Sequence, residues 1–273
     1  MFAINDKMAV AKEDGGMKFK DKICVVTGGA NGIGRCVTQA FIDEGARVAV
    51  IDTDTASGER MARAYGNRLL FVQGDIADKE TLERFAKAVL DAYGHVDCLV
   101  NNACISKKGL LSRCSYEDFN EVLRIGVTAP YYLALLFAEH FAPGASIVNI
   151  SSTRQGMSQP DTESYTAAKG GISALTHALA VSLSGRVRVN AVSPGWIDTE
   201  AYQHEDGYEP EYSQADEAQH PAGRVGKPSD IASMVLYLCG GEAGFIDGQN
   251  IVVDGGMMRQ MIYHGDNGWR LEG

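Results

Sequence analysis

Residues 27–34 read TGGANGIG, and this stretch decides the fold. An apolar run at residues 23–26 precedes it, and residues 32–44 follow it with apolar side chains at helical spacing. A glycine pattern alone can mark an ordinary turn. Between a strand and a helix, however, glycines let the backbone approach a pyrophosphate, which the free N–H groups of the helix bind. We therefore interpret the stretch as a dinucleotide-binding turn with candidate contacts at Gly28, Asn31, Gly32, Ile33 and Gly34.

Short apolar runs alternate with helical patterns along most of the chain. Seven runs rich in Val and Ile predict buried strands at residues 23–26, 48–51, 69–72, 98–100, 146–150, 187–192 and 250–253. The alternation with amphipathic segments such as residues 79–93 predicts a parallel sheet with helices on both faces. We expect one α/β domain with a Rossmann-like, doubly wound, seven-stranded sheet.

The ends of the chain and one internal segment depart from this rhythm. Residues 1–17 are predicted to be a flexible extension, for which Met17 is an alternative start, and residues 18–256 form the predicted domain. Residues 200–223 carry seven acidic residues and no Lys or Arg, which is consistent with a mobile flap. Residues 257–273 form a tail that either is disordered or docks at a subunit interface.

Composition excludes several classes of protein. The 273 residues include 35 acidic and 25 basic side chains, which gives a net charge of −10. An acidic chain of this kind lacks the positive charge that is typical of a nucleic-acid-binding protein. No apolar run approaches the roughly 20 residues of a membrane-spanning helix. The six cysteines form no C-x-x-C pair and no metal-ligand spacing. We expect a soluble, cytoplasmic protein with reduced thiols and no metal, membrane or nucleic-acid partner.

An acidic residue closes the second predicted strand. Asp52 lies 18 residues after Gly34, where a carboxylate accepts hydrogen bonds from the ribose hydroxyls of NAD and repels the 2′-phosphate of NADP. Asp52 could also be only a turn former. Neither Ala30 nor Asn31 is basic, so the predicted cofactor is NAD. Two further candidates for the adenine side close the third strand, Asp75 and Ile76.

Three polar residues in the second half of the chain suit proton transfer coupled to hydride transfer. Tyr165 and Lys169 are four residues apart in a helical segment and share a face, and Ser152 follows a strand. A free phenol has a pKa near 10, and a nearby ammonium together with an oxidised nicotinamide is expected to lower it. Tyr165 would then act as acid and base while Ser152 holds the substrate oxygen.

Several ordered motifs make residues 18–256 resemble the short-chain dehydrogenase/reductase family, classical type. Besides the glycine turn and the trio, residues 101–104 (NNAC), 193–199 (SPGWIDT) and 253–256 (VDGG) match the family's pattern. The resemblance implies an alcohol or ketone oxidoreductase that forms a homotetramer or homodimer. It also implies further cofactor contacts at Asn102, Ala103, Pro194, Gly195, Ile197 and Thr199, with Lys169 holding the nicotinamide ribose.

The chain departs from the family's pattern at three positions. Gly126 stands in a predicted helix where the family usually has an asparagine that supports a proton relay. A mid-helix glycine costs about 1 kcal/mol relative to alanine, so we expect a compensating contact or a distorted helix. Cys104 replaces a glycine near the cofactor; it is either a tolerated small residue or a thiol whose modification would block NAD. Asp247 replaces a common threonine.

The substrate pocket is the least determined part of the sequence. Arg154 could pair with a substrate carboxylate, or it could be a surface residue paired with Asp161 or Glu163. Trp196 could form a flat apolar wall or pack in the core. The remaining candidates for substrate contact are Gln159 and Tyr202.

Three functions remain open from the sequence. The first is an NAD-dependent oxidoreductase that interconverts a secondary alcohol and a ketone. The second is a 3-oxoacyl-carrier-protein reductase, against which Asp52 and the net charge of −10 argue, because it would prefer NADPH and a basic docking patch. The third, motivated by Gly126, is a cofactor-binding regulatory subunit without turnover.

Overall fold

A computed structural model describes residues 17–203, 208 and 211–261. Over these residues the strands are β1 Ile23–Thr27, β2 Arg47–Asp52, β3 Leu69–Gln73, β4 Val96–Asn101, β5 Phe141–Ile150, β6 Val187–Pro194 and β7 Asn250–Val253. The α-helices are α1 Gly32–Asp43, α2 Thr55–Tyr65, α3 Lys79–Tyr93, α4 Tyr116–Leu123, α5 Ala129–Phe137, α6 Glu163–Ser182, α7 Gln214–Ala218 and α8 Pro228–Cys239. Every predicted strand is therefore present.

The seven strands form one parallel sheet in the order β3-β2-β1-β4-β5-β6-β7. After β3 the chain crosses back over β1 to form β4, so the strand order reverses between β1 and β4. In an open α/β sheet the crevice at such a reversal, beyond the carboxyl ends of the strands, is where ligands bind. The predicted Rossmann-like, doubly wound single domain is confirmed.

Both faces of the sheet are buried, which explains the continuous apolar runs in the strands. Successive side chains alternate between two cores: Val26 and Val50 lie in one with α1 and α8, and Val25 and Ala49 lie in the other with α3 and α5. The one large difference from prediction is β5, which begins five residues early at Phe141. That first part is partly exposed and contains a Pro-Gly pair, so it carries no apolar pattern.

The helix that contains Gly126 is distorted, as its sequence predicts. Residues Arg124–Thr128 form one π-helical turn between α4 and α5. A Cβ atom on Gly126 would lie 2.8 Å from the Cβ of Ala168 on α6, closer than two side chains can pack. The glycine therefore lets α6 approach this turn closely, directly beside Lys169.

Several predictions fall outside the described residues. These are most of the extension at residues 1–16, parts of the flap at residues 204–207 and 209–210, and most of the tail at residues 262–273, which includes Trp269. Within the described part of the chain, no helix is both long enough and apolar enough to cross a membrane.

Candidate active site

The glycine turn is held by hydrogen bonds from the neighbouring strand β4. The backbone N–H of Asn102 donates to Thr27 Oγ1 at 3.0 Å, and its side-chain amide donates to the carbonyl oxygen of Gly28 at 3.0 Å. Helix α1 begins at Gly32, inside this glycine-rich stretch, and has no acidic residue in its first turn. The positive end of the helix is thus free to face phosphate groups.

Gly34 is required for this arrangement. A Cβ atom there would lie 2.0 Å from the carbonyl oxygen of Gly28 and 2.5 Å from Asn102 Nδ2. The first turn of α1 therefore packs directly on the backbone of the glycine turn. Gly34 does not line the cofactor cleft itself, so its role is to bring the helix N-terminus close.

The Asp52 carboxylate stabilises the glycine turn and still has hydrogen-bond acceptor positions free for a ligand. Its Oδ2 accepts from the Ala30 N–H at 3.0 Å, and its Oδ1 accepts from the Asp54 N–H at 3.0 Å. A carboxylate offers about four acceptor positions, so each oxygen can accept another hydrogen bond. The half-buried carboxylate thus fixes the glycine turn while facing the adjacent cleft.

Ten of the predicted cofactor residues come together around this cleft, whose volume is about 380 Å³. They are Gly28, Asn31, Gly32, Ile33, Asp52, Asp75, Ile76, Asn102, Ala103 and Thr199. The side-chain amide of Asn31 is already used, because it donates to Asp54 Oδ2 at 3.0 Å. The cradle of backbone at a helix start, with the Asp52 carboxylate beside it, fits a dinucleotide cofactor.

The catalytic candidates line a second, larger cleft of about 1100 Å³. Ser152 follows the end of β5, and Tyr165 and Lys169 project from the first turns of α6. The two clefts share Ile33, Asn102 and Cys104 as lining residues, so they adjoin. The predicted nicotinamide contacts Pro194, Gly195 and Ile197 also line the larger cleft.

Lys169 is fixed between the end of strand β5 and the phenol ring of Tyr165. The side chain is buried, and its Nζ donates to the carbonyl oxygen of Ile150 at 2.7 Å. The same nitrogen lies 5.4 Å from the centre of the Tyr165 ring. An ammonium at this distance favours the ionised phenol.

The pKa of Tyr165 is raised in the protein alone. The predicted decrease concerns a phenol next to both Lys169 and an oxidised nicotinamide, and it stays a prediction. Burial of the phenol is the largest cause, because it penalises the charged phenolate. The positive charge of Lys169 and a hydrogen-bonding interaction with Ser152 act in the predicted direction, whereas Cys104 raises the pKa further. Lowering the pKa below its usual value therefore requires a further positive charge.

Comparison with known proteins places this arrangement in a family. A family model described as Enoyl-(Acyl carrier protein) reductase matches residues 28–258. An uncharacterised oxidoreductase of Thermotoga maritima is 43% identical over 251 residues, covering 89% of this chain and 98% of the relative. The chain is a short-chain dehydrogenase/reductase. It is accordingly an oxidoreductase enzyme of this family.

Two further relatives of this short-chain dehydrogenase/reductase (SDR) bear on its activity. The 3-oxoacyl-[acyl-carrier-protein] reductase of Thermotoga maritima is 31% identical over 250 residues, covering 89% of this chain and all of the relative (100%). The solved structure of an apo SCOR enzyme from Clostridium thermocellum has a TM-score of 0.82 and 42% identity, covering 92% of this chain and 98% of that one.

Two expectations about the SDR's substrate residues are wrong. Arg154 does not pair with Asp161 or Glu163: Asp161 accepts from the Ser112 N–H at 2.9 Å, and Glu163 accepts from the Leu110 N–H at 3.1 Å. Tyr202 lies outside the larger cleft; it packs against the α1 side of the core, where a hydrogen-bonding interaction with the Cys36 thiol raises its pKa to about 12.

A cluster in the predicted flap segment was missed by the sequence analysis. The hydroxyls of Tyr208 and Tyr212 both donate to the carboxylate of Asp198, which follows the predicted nicotinamide contact Ile197 in the sequence. Partial burial favours the neutral acid, but the two hydroxyls hold the pKa of Asp198 below its usual value. The Tyr212 ring packs edge-on against Trp196, 6.2 Å between centres. Trp196 therefore forms part of the wall of the cleft. The tyrosines in the acidic segment were the sequence feature from which this cluster could have been predicted.

The structure also explains Asp247. Its Oδ1 accepts from the backbone N–H of Val189 at 2.7 Å and from that of Gly248 at 3.0 Å. The residue therefore joins the start of β6 to the turn before β7. Its role is structural and remote from the clefts.

Cys104 is an exposed thiol that lines both clefts. We expect iodoacetamide to abolish NADH binding, because an added acetamide group would occupy the cofactor path, and we expect saturating NADH to slow the modification. Cys104→Ala should bind NADH and resist the reagent. Cys114→Ala is the matched control, since Cys114 is the other cysteine that is not buried. If iodoacetamide abolished NADH binding in Cys104→Ala as fully as in the wild type, Cys104 would not be the thiol beside the cofactor cleft.

Proposed function

We propose that this SDR interconverts a secondary alcohol and a ketone with NAD as the cofactor. The observation that carries the proposal is the arrangement of Ser152, Tyr165 and Lys169 in a cleft that adjoins the dinucleotide cradle. A bound nicotinamide supplies hydride acceptance or donation. The chain's own residues then have to move one proton and hold one oxygen atom.

Tyr165 is the proposed acid and base. In the oxidation direction its phenolate takes the proton from the substrate hydroxyl as the C–H electron pair leaves carbon, so that the C–O bond becomes a carbonyl. In the reduction direction the phenol returns this proton to the carbonyl oxygen. Ser152 donates a hydrogen bond to the same oxygen, and Lys169 favours the phenolate by its charge.

The preference for NAD rests on Asp52. We expect Asp52→Ala to reduce discrimination between NADH and NADPH by about tenfold or more, because a carboxylate beside a phosphate costs several kcal/mol. Protein fluorescence titration with each nucleotide measures the two dissociation constants without any substrate. Asp52→Asn is the matched control: it removes the charge but keeps one acceptor for the Ala30 N–H. An unchanged ratio in both variants would contradict the assignment.

A second candidate function, 3-oxoacyl-carrier-protein reduction, is supported by the 31% identical relative of that name. Asp52 and the net charge of −10 oppose it. An assay of acetoacetyl thioesters with NADPH, against small secondary alcohols with NAD, separates the two. Faster turnover of the thioester with NADPH would favour the carrier-protein reductase.

We also propose that the SDR is a homotetramer or homodimer. Tyr131 and Leu135 on α5 and Val181 on α6 are large apolar side chains exposed to solvent. Both helices pack on the same face of the sheet, and exposed apolar side chains on such helices favour association.

A further inference from the structure

Arg154 lies where its side chain can contact a substrate that is bound by Ser152. It lies two residues after Ser152, and its backbone N–H donates to Ser152 Oγ at 3.2 Å. Its side chain lines the larger cleft together with the catalytic trio. Arg154 therefore lies next to the hydroxyl that would bind the substrate oxygen, and both residues line the same cleft.

The guanidinium is only partly satisfied by the protein. Arg154 Nη2 donates to Gln159 Oε1, which leaves the other terminal nitrogen for a different acceptor. Arg154 Nη1 is buried, and no residue of the described chain accepts its hydrogen bonds. Leaving a buried donor on a charged group unpaired is costly, because the group has lost its hydration without gaining a hydrogen-bond partner. A bound ligand could supply the hydrogen-bond acceptor that Arg154 Nη1 lacks within the described chain.

The cleft offers no acid of its own to this nitrogen. Among the described residues that line it, the one carboxylate is Asp216, whose Oδ2 accepts from the N–H and hydroxyl of Ser213 at 2.8 and 2.7 Å. The other cation, Lys169, is committed to the carbonyl oxygen of Ile150. Asp216 carries a negative charge in the same lining, but no described residue pairs with Arg154 Nη1.

A second buried atom lacks a partner in the same cleft. Gln260 Oε1, from the segment after β7, accepts no hydrogen bond from the described residues. Ligand pockets of this kind place a few polar groups in an otherwise apolar lining to fix orientation. A ligand that offers an acceptor anion to Arg154 Nη1 and a donor other than the reacting hydroxyl to Gln260 Oε1 would satisfy both atoms.

We propose that the substrate pair is a hydroxy acid and its oxo acid, with the carboxylate bound by Arg154. This inference rests on the proposed alcohol–ketone function and deepens it. In the reaction the carbinol C–H bond breaks with its electron pair going to NAD, and the O–H proton goes to Tyr165. The carboxylate is unchanged and serves only for binding. The charge of one guanidinium balances a carboxylate monoanion but only part of the charge of a phosphate dianion.

The test compares matched acids and amides. The probes are 2-hydroxybutyrate, 3-hydroxybutyrate and 4-hydroxypentanoate, each with its neutral amide, because the series samples the distance between Ser152 and Arg154. We expect at least one acid to exceed its amide in kcat/KM by about 10- to 100-fold. Arg154→Gln should lose this advantage, Arg154→Lys should keep part of it, and the amide should change by less than about threefold. Arg63→Gln, an exposed arginine on α2, is the control.

Three outcomes overturn the inference while leaving the proposed function intact. They are equal turnover of acids and amides, an equal effect of Arg154→Gln on both, and an effect of Arg154→Gln on the KM for NAD alone. A phosphorylated alcohol preferred over every acid would also overturn it.

A thermal-shift measurement tests carboxylate binding by Arg154 even if the enzyme oxidises no alcohol. A blank turnover panel would count against the proposed function. The same acids should still raise the melting temperature of the wild-type protein more than their amides do, and Arg154→Gln should abolish the difference. No acid-specific stabilisation of the wild type would overturn the inference.

Discussion

Tyr165→Phe should reduce kcat by at least about 100-fold while NADH binding stays within about threefold of the wild type. General acid–base catalysis by one side chain contributes roughly 10²- to 10⁴-fold, and phenylalanine removes only the hydroxyl that transfers the proton. The ring and its packing beside Lys169 are retained. Initial rates and NADH fluorescence titration measure the two quantities on the same preparation. Activity within about tenfold of the wild type would exclude Tyr165 as the acid and base.

The pH dependence of the wild type provides the control for this variant. Burial raises the pKa of Tyr165, so the phenolate that accepts the substrate proton forms only as the pH rises. Alcohol oxidation should therefore increase toward alkaline pH, and ketone reduction, which needs the protonated phenol, should decrease. The residual activity of Tyr165→Phe should lack this dependence. A flat wild-type profile would contradict the assignment.

Gly34→Ala should weaken NADH binding by about 100-fold or more and lower the melting temperature. The added Cβ would lie 2.0 Å from the carbonyl oxygen of Gly28, which already accepts from Asn102 Nδ2. Neither atom can move without opening the glycine turn. Overpacking of this kind costs about 1–3 kcal/mol, equivalent to roughly 2–4 °C per kcal/mol in a domain of this size.

Gly170→Ala is the matched control for Gly34→Ala. It makes the same change inside α6, where the added Cβ meets nothing within 4 Å. Alanine has the higher helix propensity, so this variant should be as stable as the wild type or slightly more stable. If Gly34→Ala binds NADH as Gly170→Ala does, the close packing of α1 on the turn is not required.

The sequence predicted the fold because the sheet is buried on both faces. Strands such as β2 are then continuous apolar runs, and the glycine turn marks where the first strand meets the first helix. The distortion at Gly126 was also predictable, since a glycine in a helix interior signals a close contact or a break. The cofactor residues cluster because they follow the carboxyl ends of parallel strands.

The substrate side could not be predicted in the same way. The pairing of Asp198 with Tyr208 and Tyr212 depends on how a segment without periodicity folds back. Tyr202 was misplaced for the same reason, because its neighbour Cys36 is distant in sequence. The net pKa of Tyr165 depends on burial, which local spacing does not reveal.

The most direct measurement of the central claim is NADH formation by the wild-type protein and Tyr165→Phe, assayed with NAD against one panel of secondary alcohols. The panel includes hydroxy acids, polyols and hydroxysteroids. The account predicts NADH formation by the wild type with at least one alcohol, at least about 100-fold slower with Tyr165→Phe. Tight NADH binding without turnover of any alcohol, or of any corresponding ketone, would contradict it and favour a cofactor-binding protein without catalysis.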